Sequence, residues 1–101
     1  MNYKIVFSSK AYLDIESIVN FYSEHNIEIS RKLYYGIINS VKRLKQFPES
    51  GRIVPEYLEI GIKIYREVIS GYYRVIYKID KNKIIILSIV DSRSELEIDI
   101  I

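Results

Sequence analysis

The residues of this sequence best suited to chemistry are cations and tyrosines in its second half: Lys63, Tyr65, Tyr72, Arg74, Lys78 and Arg93. A guanidinium is a planar fork of donors that matches phosphate, and a tyrosine ring stacks on bases, so such a group on one sheet suits phosphate and base contacts. Each member also has a plainer explanation. Glu67 opposite Arg74 makes a cross-strand ion pair worth ~0.2–1 kcal/mol. Tyr65 and Tyr72 are good strand formers, and Arg93, with acids around it, can be a surface ion pair. Other chemistries have little support. His25 is the only histidine, which leaves a Ser-His-Asp triad or a His-based metal site without members. There is no cysteine, hence no thiolate nucleophile, disulfide or Cys-based zinc site, and four glycines outside any Gly-rich loop argue against a phosphate-cradling loop. No metal and no cofactor is expected.

Those side chains need elements to carry them. Residues 2–7 (NYKIVF) read as a first strand, and Ser8 and Ser9 offer hydroxyls to cap a helix. Ala11, Ile15, Ile18, Val19 and Tyr22 then fall on one helical face. After the break at 23–26 a second stripe follows, Leu33, Ile37, Val41, Leu44 and Phe47, ended by Pro48. Arg31, Lys32, Lys42, Arg43 and Lys45 lie on its outer face. The pattern predicts an antiparallel helical hairpin. Residues 48–61 read as turn and irregular connection. Three β-rich runs follow, 62–69, 72–79 and 84–90, divided by Ser70-Gly71 and by residues 80–83, which predicts a three-stranded antiparallel meander. The fold class is therefore α+β: an N-terminal strand, a helical hairpin, then the meander. One domain is expected across 1–101; the tail 94–101 fits an edge strand or a segment that orders with a partner.

Turn lengths set the expected register. A Ser70-Gly71 turn puts Ile69 opposite Tyr72, Glu67 opposite Arg74 and Tyr65 opposite Ile76; the next turn puts Ile79 opposite Ile84, Ile76 opposite Leu87 and Arg74 opposite Ile89. Alternation then gives one face Lys63, Tyr65, Glu67, Tyr72, Arg74, Lys78, Asp91 and Arg93. The other face receives Ile64, Val68, Tyr73, Val75, Tyr77, Ile79, Ile86 and Val90, the helix-covered core, with Arg66 reaching the rim. The hairpin covers one sheet face, so the cationic, aromatic face is expected to be the docking surface.

Composition agrees with a small folded domain: 101 residues, 49% hydrophobic and 28% charged. A chain this long buries about 65% of its unfolded surface. No apolar run approaches ~20 residues, so neither a membrane span nor a signal peptide is expected, and the protein reads as cytoplasmic. Net charge is only +2, but it is unevenly spread. Residues 11–30 hold four acids and no Lys or Arg, whereas residues 31–83 hold twelve Lys or Arg against five acids. The middle of the chain suits a polyanion or an acidic partner.

The order strand, two helices, FPESGR (47–52), YREV (65–68), GYYRVIY (71–77) and SIVDSR (88–93) resembles the RelE/ParE superfamily of small toxins from type II toxin–antitoxin pairs. The likeness runs from about residue 3 to Arg93. It implies a twisted antiparallel sheet on a helical hairpin, and a growth-arresting toxin neutralised by a cognate antitoxin. By the same resemblance the second helix and the sheet edge (Arg31, Lys42, Lys45, Ile85, Leu87) would hold that antitoxin. RelE-like members cut mRNA on the ribosome with sheet-borne Lys and Arg and a late Tyr; ParE-like members poison DNA gyrase. Arg74 and Arg93 match the two Arg positions of the RelE-like site, but its Lys pair falls on Tyr65 and Glu67, and no Tyr follows Arg93. An acid at 67 opposes phosphate binding. The ParE-like branch is therefore favoured, with Arg93, Arg74 and Lys78 toward the target. The alternative is an mRNA endoribonuclease with Arg74 and Arg93 on phosphate and Lys63, Tyr65 or Tyr72 as substitutes. A non-toxic binding module is the third reading.

Overall fold

The computed structural model describes residues 2–93. The tail expectation for residues 94–101 lies outside them. The elements run β1 (Lys4–Phe7), α1 (Ser9–Ser23), α2 (Ile27–Arg43), β2 (Arg52–Ile53), α3 (Pro55–Leu58), β3 (Tyr65–Ser70), β4 (Tyr73–Asp80) and β5 (Lys83–Asp91). One sheet has the order β1-β5-β4-β3-β2, with β1 parallel to β5 and the other pairs antiparallel. The expected strand, hairpin and meander are all present. The connection expected to be irregular contains two further elements, the short edge strand β2 and the single helical turn α3, which Pro55 opens at its N-terminus.

Local chemistry fixes the helix ends. Ser8 caps α1 by accepting from Ala11 N at 3.0 Å, and Asn26 caps α2 by accepting from the amides of Glu28 and Ile29. Ala11, Ile37, Val41 and Leu44 then pack on Tyr73, Val75, Tyr77, Ile84, Ile86 and Ile89. Phe47 lies beyond α2 and is 62% exposed, contrary to its place in the expected stripe.

Both expected registers shift, for different reasons. The first hairpin closes at Ser70 and Tyr73 around Gly71-Tyr72, with Gly71 at φ +57, so the glycine takes the first turn position rather than the second. Every β3–β4 pair moves by two residues: Glu67 faces Ile76, and Tyr65 faces Lys78. A shift of two preserves the faces. The second hairpin keeps Ile79 opposite Ile84, but a bulge follows, with Tyr77 opposite Ile86 and Ile76 opposite Ser88. Leu87 is the extra residue, and beyond it the faces of β5 invert. Hence Ile89, opposite Val75, enters the core in place of Val90, which faces Arg74, and Asp91 stands opposite Tyr73. Helix α1 satisfies the bulged backbone: Ser8 Oγ donates to Leu87 O at 2.9 Å, and Asp14 Oδ2 accepts from Ile89 N at 2.9 Å. Ile64, expected in the core, precedes β3 and is 62% exposed.

Candidate functional site

The sheet face away from α1 and α2 is where the cations were expected, and β3 and β4 do bring Glu67 and Arg74 together there. The contact is diagonal rather than directly cross-strand, because Glu67 pairs with Ile76. Arg74 Nε donates to Glu67 Oε1 at 2.8 Å. Its two terminal nitrogens fork onto Glu56 of α3, at 2.7 Å to Oε2 and 2.6 Å to Oε1. From the edge strand, Arg52 Nε donates to Glu67 Oε2 at 2.7 Å. Two guanidiniums and two carboxylates thus form one neutral chain, with Glu67 and Arg74 almost wholly buried at 1% and 5% exposure. Hydrogen bonds to Glu56, then to Glu67, hold Arg74 in its charged form against the opposing effect of burial.

This arrangement explains why α3 exists. A single helical turn has too few internal hydrogen bonds to stand alone, but Glu56 ties it to Arg74, and Tyr57 packs on Tyr65 with ring centroids 4.4 Å apart. Ile76, opposite Glu67 on the face that the hairpin does not cover, is 3% exposed. A shallow depression of about 260 Å³ remains beside the network, lined by Arg52, Pro55, Glu56, Glu59, Ile69, Arg74 and Ser92. The turn before β2 is held from the core. Tyr77 Oη donates to Pro48 O at 2.7 Å and accepts from Gly51 N at 3.0 Å. Burial pushes its phenol above the ordinary tyrosine range. Arg66, expected to reach the rim, donates to the carbonyls of Glu49 and Gly51 in that same turn.

Arg93 has a different setting. Ser92, its neighbour, lines the depression, and its amide bonds Tyr72 O at 2.6 Å, but Arg93 does not line it. Beyond the bulge Asp91 stands opposite the core residue Tyr73, so the expectation that Asp91 and Arg93 share a face with Arg74 does not hold. The guanidinium grips Asp91, Nε to Oδ1 at 2.9 Å and Nη2 to Oδ2 at 2.6 Å, and lies over the Tyr72 ring at 5.3 Å from its centroid. The Arg93 hydrogen bonds hold the Asp91 carboxyl down to about 2. Both Arg93 and Tyr72 are exposed. Of the remaining predicted residues, Lys63 is exposed ahead of β3, Lys78 is half-buried between Tyr65 and Ile85, and Tyr65 is engaged with α3. They do not gather around Arg74.

The residues assigned to an antitoxin are also dispersed. Arg31 and Lys42 stand at opposite ends of α2, about 16 Å apart at 1.5 Å per residue. Lys45 lies by Asn2 and Tyr3. Ile85 is not at a sheet edge, because β1 pairs with β5 alongside it; Leu87 is the bulge residue. The sequence reading missed Arg52 and Glu56. Pro55 followed by Glu56 is a helix-start signal that could have found α3, whereas nothing in the spacing links position 56 to position 74. Among the described residues no group of three or more His, Cys, Asp or Glu could hold a metal ion, and no helix is long and apolar enough to cross a membrane.

Comparison with known proteins places this geometry in a family. In the solved chromosomal ParDE TA system from P. aeruginosa, one chain superimposes with a TM-score of 0.72 at 20% identity, covering 88% of this chain and 95% of that one. The YoeB dimer from Staphylococcus aureus gives 0.59 at 22% identity, with 87% and 94% covered. No curated protein sequence matches. The model of the ParE toxin of the type II toxin–antitoxin system parDE matches residues 5–96. With nearly the whole chain matched, and the α+β fold shared, the chain belongs to the ParE toxin family of type II toxin–antitoxin systems.

Proposed function

We propose that this toxin arrests growth by binding a protein target, DNA gyrase, and that a cognate antitoxin neutralises it in the cytoplasm. Arg93, with Tyr72 beside it, is the target-facing group at the end of the sheet; Lys78 lies farther along the same sheet. The observation that carries the reading is the enclosure of Arg74. A nuclease would need that guanidinium on the transition-state phosphate, yet Glu56 and Glu67 engage all three of its nitrogens. Opening the network would leave carboxylates beside the incoming phosphate, which raises the barrier rather than lowering it.

The test is a short induction in bacteria without antitoxin, following labelled thymidine and labelled amino-acid incorporation together. DNA synthesis is expected to fall first. Early collapse of translation with replication continuing would instead indicate the mRNA endoribonuclease. A second arm uses the paired variant Arg74→Gln with Glu67→Gln, which removes the guanidinium and one of the carboxylates facing it. It should stay toxic as a gyrase poison and lose toxicity as a nuclease. Arg93→Ala should abolish toxicity, and full activity there would remove Arg93 from the target surface.

A further inference from the structure

The cationic excess of residues 31–83 is not used at the sheet site, where two guanidiniums are matched by two carboxylates. Part of it collects at the opposite end of the sheet, around the turn between β4 and β5. Lys81 lies in that turn, Lys83 follows it, and β1 brings Lys4 directly alongside Lys83. Lys78 faces Ile85, two residues along β5 from Lys83. The strand neighbours of Lys4, Lys78 and Lys83, namely Ile5, Tyr77, Ile79 and Ile84, all pack on the core. Alternation therefore points these three ammonium side chains to the sheet face away from the helices. Lys4, Lys81 and Lys83 are exposed, and Lys78 is half-buried.

Two lysines side by side on adjoining strands repel, and like charges so placed destabilise a sheet. Among the described residues none of the four lysines enters an ion pair, and neither does Asp80, the one acid of the turn. Lys81 also sits at φ +56, a left-handed position that asparagine or glycine takes with less strain. On the helix side of β1, Tyr3 shares one depression with Lys45 and another with Glu49, where base and acid offset each other. The uncompensated charge is thus the lysine row, and a ligand bridging its ammoniums relieves their repulsion.

Spacing and shape decide the ligand. At ~4.8 Å between strands and ~3.3 Å per residue, the row from Lys4 to Lys78 spans ~12 Å. A duplex presents one charge per ~1.7 Å of its axis, and each strand a phosphate every ~3.4 Å, so the row meets about three successive phosphates of one strand. An extended acidic peptide offers at best one carboxylate per ~6.6 Å on one face. No ring beside the row is available to stack a base, since Tyr65, opposite Lys78, packs on Tyr57. Lysine is a compact point charge on a flexible stem, suited to a phosphate backbone rather than to planar recognition of base edges.

We propose that this lysine row contacts the phosphate backbone of duplex DNA without reading its sequence. The choice of DNA rests on the gyrase reading: a toxin held on gyrase by Arg93 lies beside the duplex that gyrase carries, with the lysines at the other end of the sheet.

The experiment is fluorescence anisotropy of a labelled mixed-sequence duplex of about 30 base pairs, titrated with the purified full chain between about 50 and about 200 mM NaCl. A dissociation constant on the order of 10–100 µM is expected at the higher salt, and log K against log salt should fall with a slope of about −3. The triple variant Lys4→Gln, Lys81→Gln, Lys83→Gln should bind at least about tenfold more weakly, with a slope near about −1. A control on α2, Arg31→Gln, Lys32→Gln, Lys42→Gln, removes the same charge elsewhere and should stay within about threefold of wild type. Circular dichroism confirms that each variant is folded. A wild-type chain without measurable binding at the lowest salt overturns the proposal. So does a control variant that loses as much as the triple variant, because net charge alone then accounts for binding. Tighter binding to single-stranded RNA of the same length, or displacement of the duplex by polyglutamate at equal charge, also overturns it. Thymidine incorporation tests the gyrase reading separately. Duplex binding through these lysines with undisturbed DNA synthesis removes gyrase and keeps the contact; early loss of DNA synthesis without duplex binding removes the contact alone.

Discussion

Arg74 and Glu67 are buried charges whose mutual satisfaction is nearly complete, and such groups respond sharply to losing one partner. Arg74→Ala leaves Glu67 buried with only Arg52 and releases Glu56, so it should destabilise the protein by about 3–5 kcal/mol, measured by urea unfolding. Replacing Glu67 and Arg74 together by glutamines should cost clearly less than the sum of the single changes, because neither of the two buried charges is left facing the loss of the other, while Arg52 and Glu56 keep access to solvent. The exposed pair at the other end of the sheet behaves differently. Asp91 has a folded pKa of about 2, below its ordinary 3.8. Its link with Arg93 is therefore fully present above the ordinary carboxylate value and is lost as pH falls through about 2. Arg93→Ala should return the Asp91 titration, followed by carboxyl NMR, toward 3.8. The residue types at this site were legible: Arg74, Arg93 and Tyr72 stand out by their chemistry, and the Glu67–Arg74 pair follows from two adjoining strands. Its closure was not, because Glu56 and Arg52 come from segments 18 and 22 residues away in sequence from Arg74, and only packing brings them there.

Among the elements, the turn before β2 and the bulge in β5 decide which side chains reach the site. A Cβ added at Gly51 would lie 2.6 Å from Glu67 O and 2.6 Å from Tyr77 Oη, both fixed. Gly51→Ala should therefore push the turn from the core and destabilise by about 1–3 kcal/mol in thermal or urea unfolding. Since Arg52 follows, the same change should loosen its grip on Glu67. At the bulge, Asp14→Ala removes the acceptor of the Ile89 amide, and a loss of about 1 kcal/mol is expected. Neither device could be read from turn lengths. A bulge inserts one residue without a glycine or proline to announce it, and IIILSIV is apolar on both parities, so no alternation marks the point where the faces invert.

At the scale of the whole molecule, the protein is a sheet with unequal covers: a two-helix layer on one face and a single helical turn on the other. Strand β4 lies under both, and Tyr73 through Tyr77 are all buried. Their amides should exchange with solvent only on global unfolding, while those of β2 and α3 at the sheet margin exchange through local opening. Hydrogen exchange read by NMR would check this ordering. Equal protection in α3 and β4 would mean that the Arg74–Glu56 contact binds the margin to the core as one cooperative unit. By itself the sequence determined the class of fold, the helical hairpin, the three long strands and the membership of Tyr73, Val75 and Tyr77 in the core. Those features follow from local periodicity and turn residues, which act over a few neighbouring positions. Only the tertiary structure decided the final register, the place of β1 beside β5, and the commitment of Arg74 to two carboxylates. Each of these depends on groups far apart in the chain, whose meeting is set by how the layers pack rather than by any signal in the spacing.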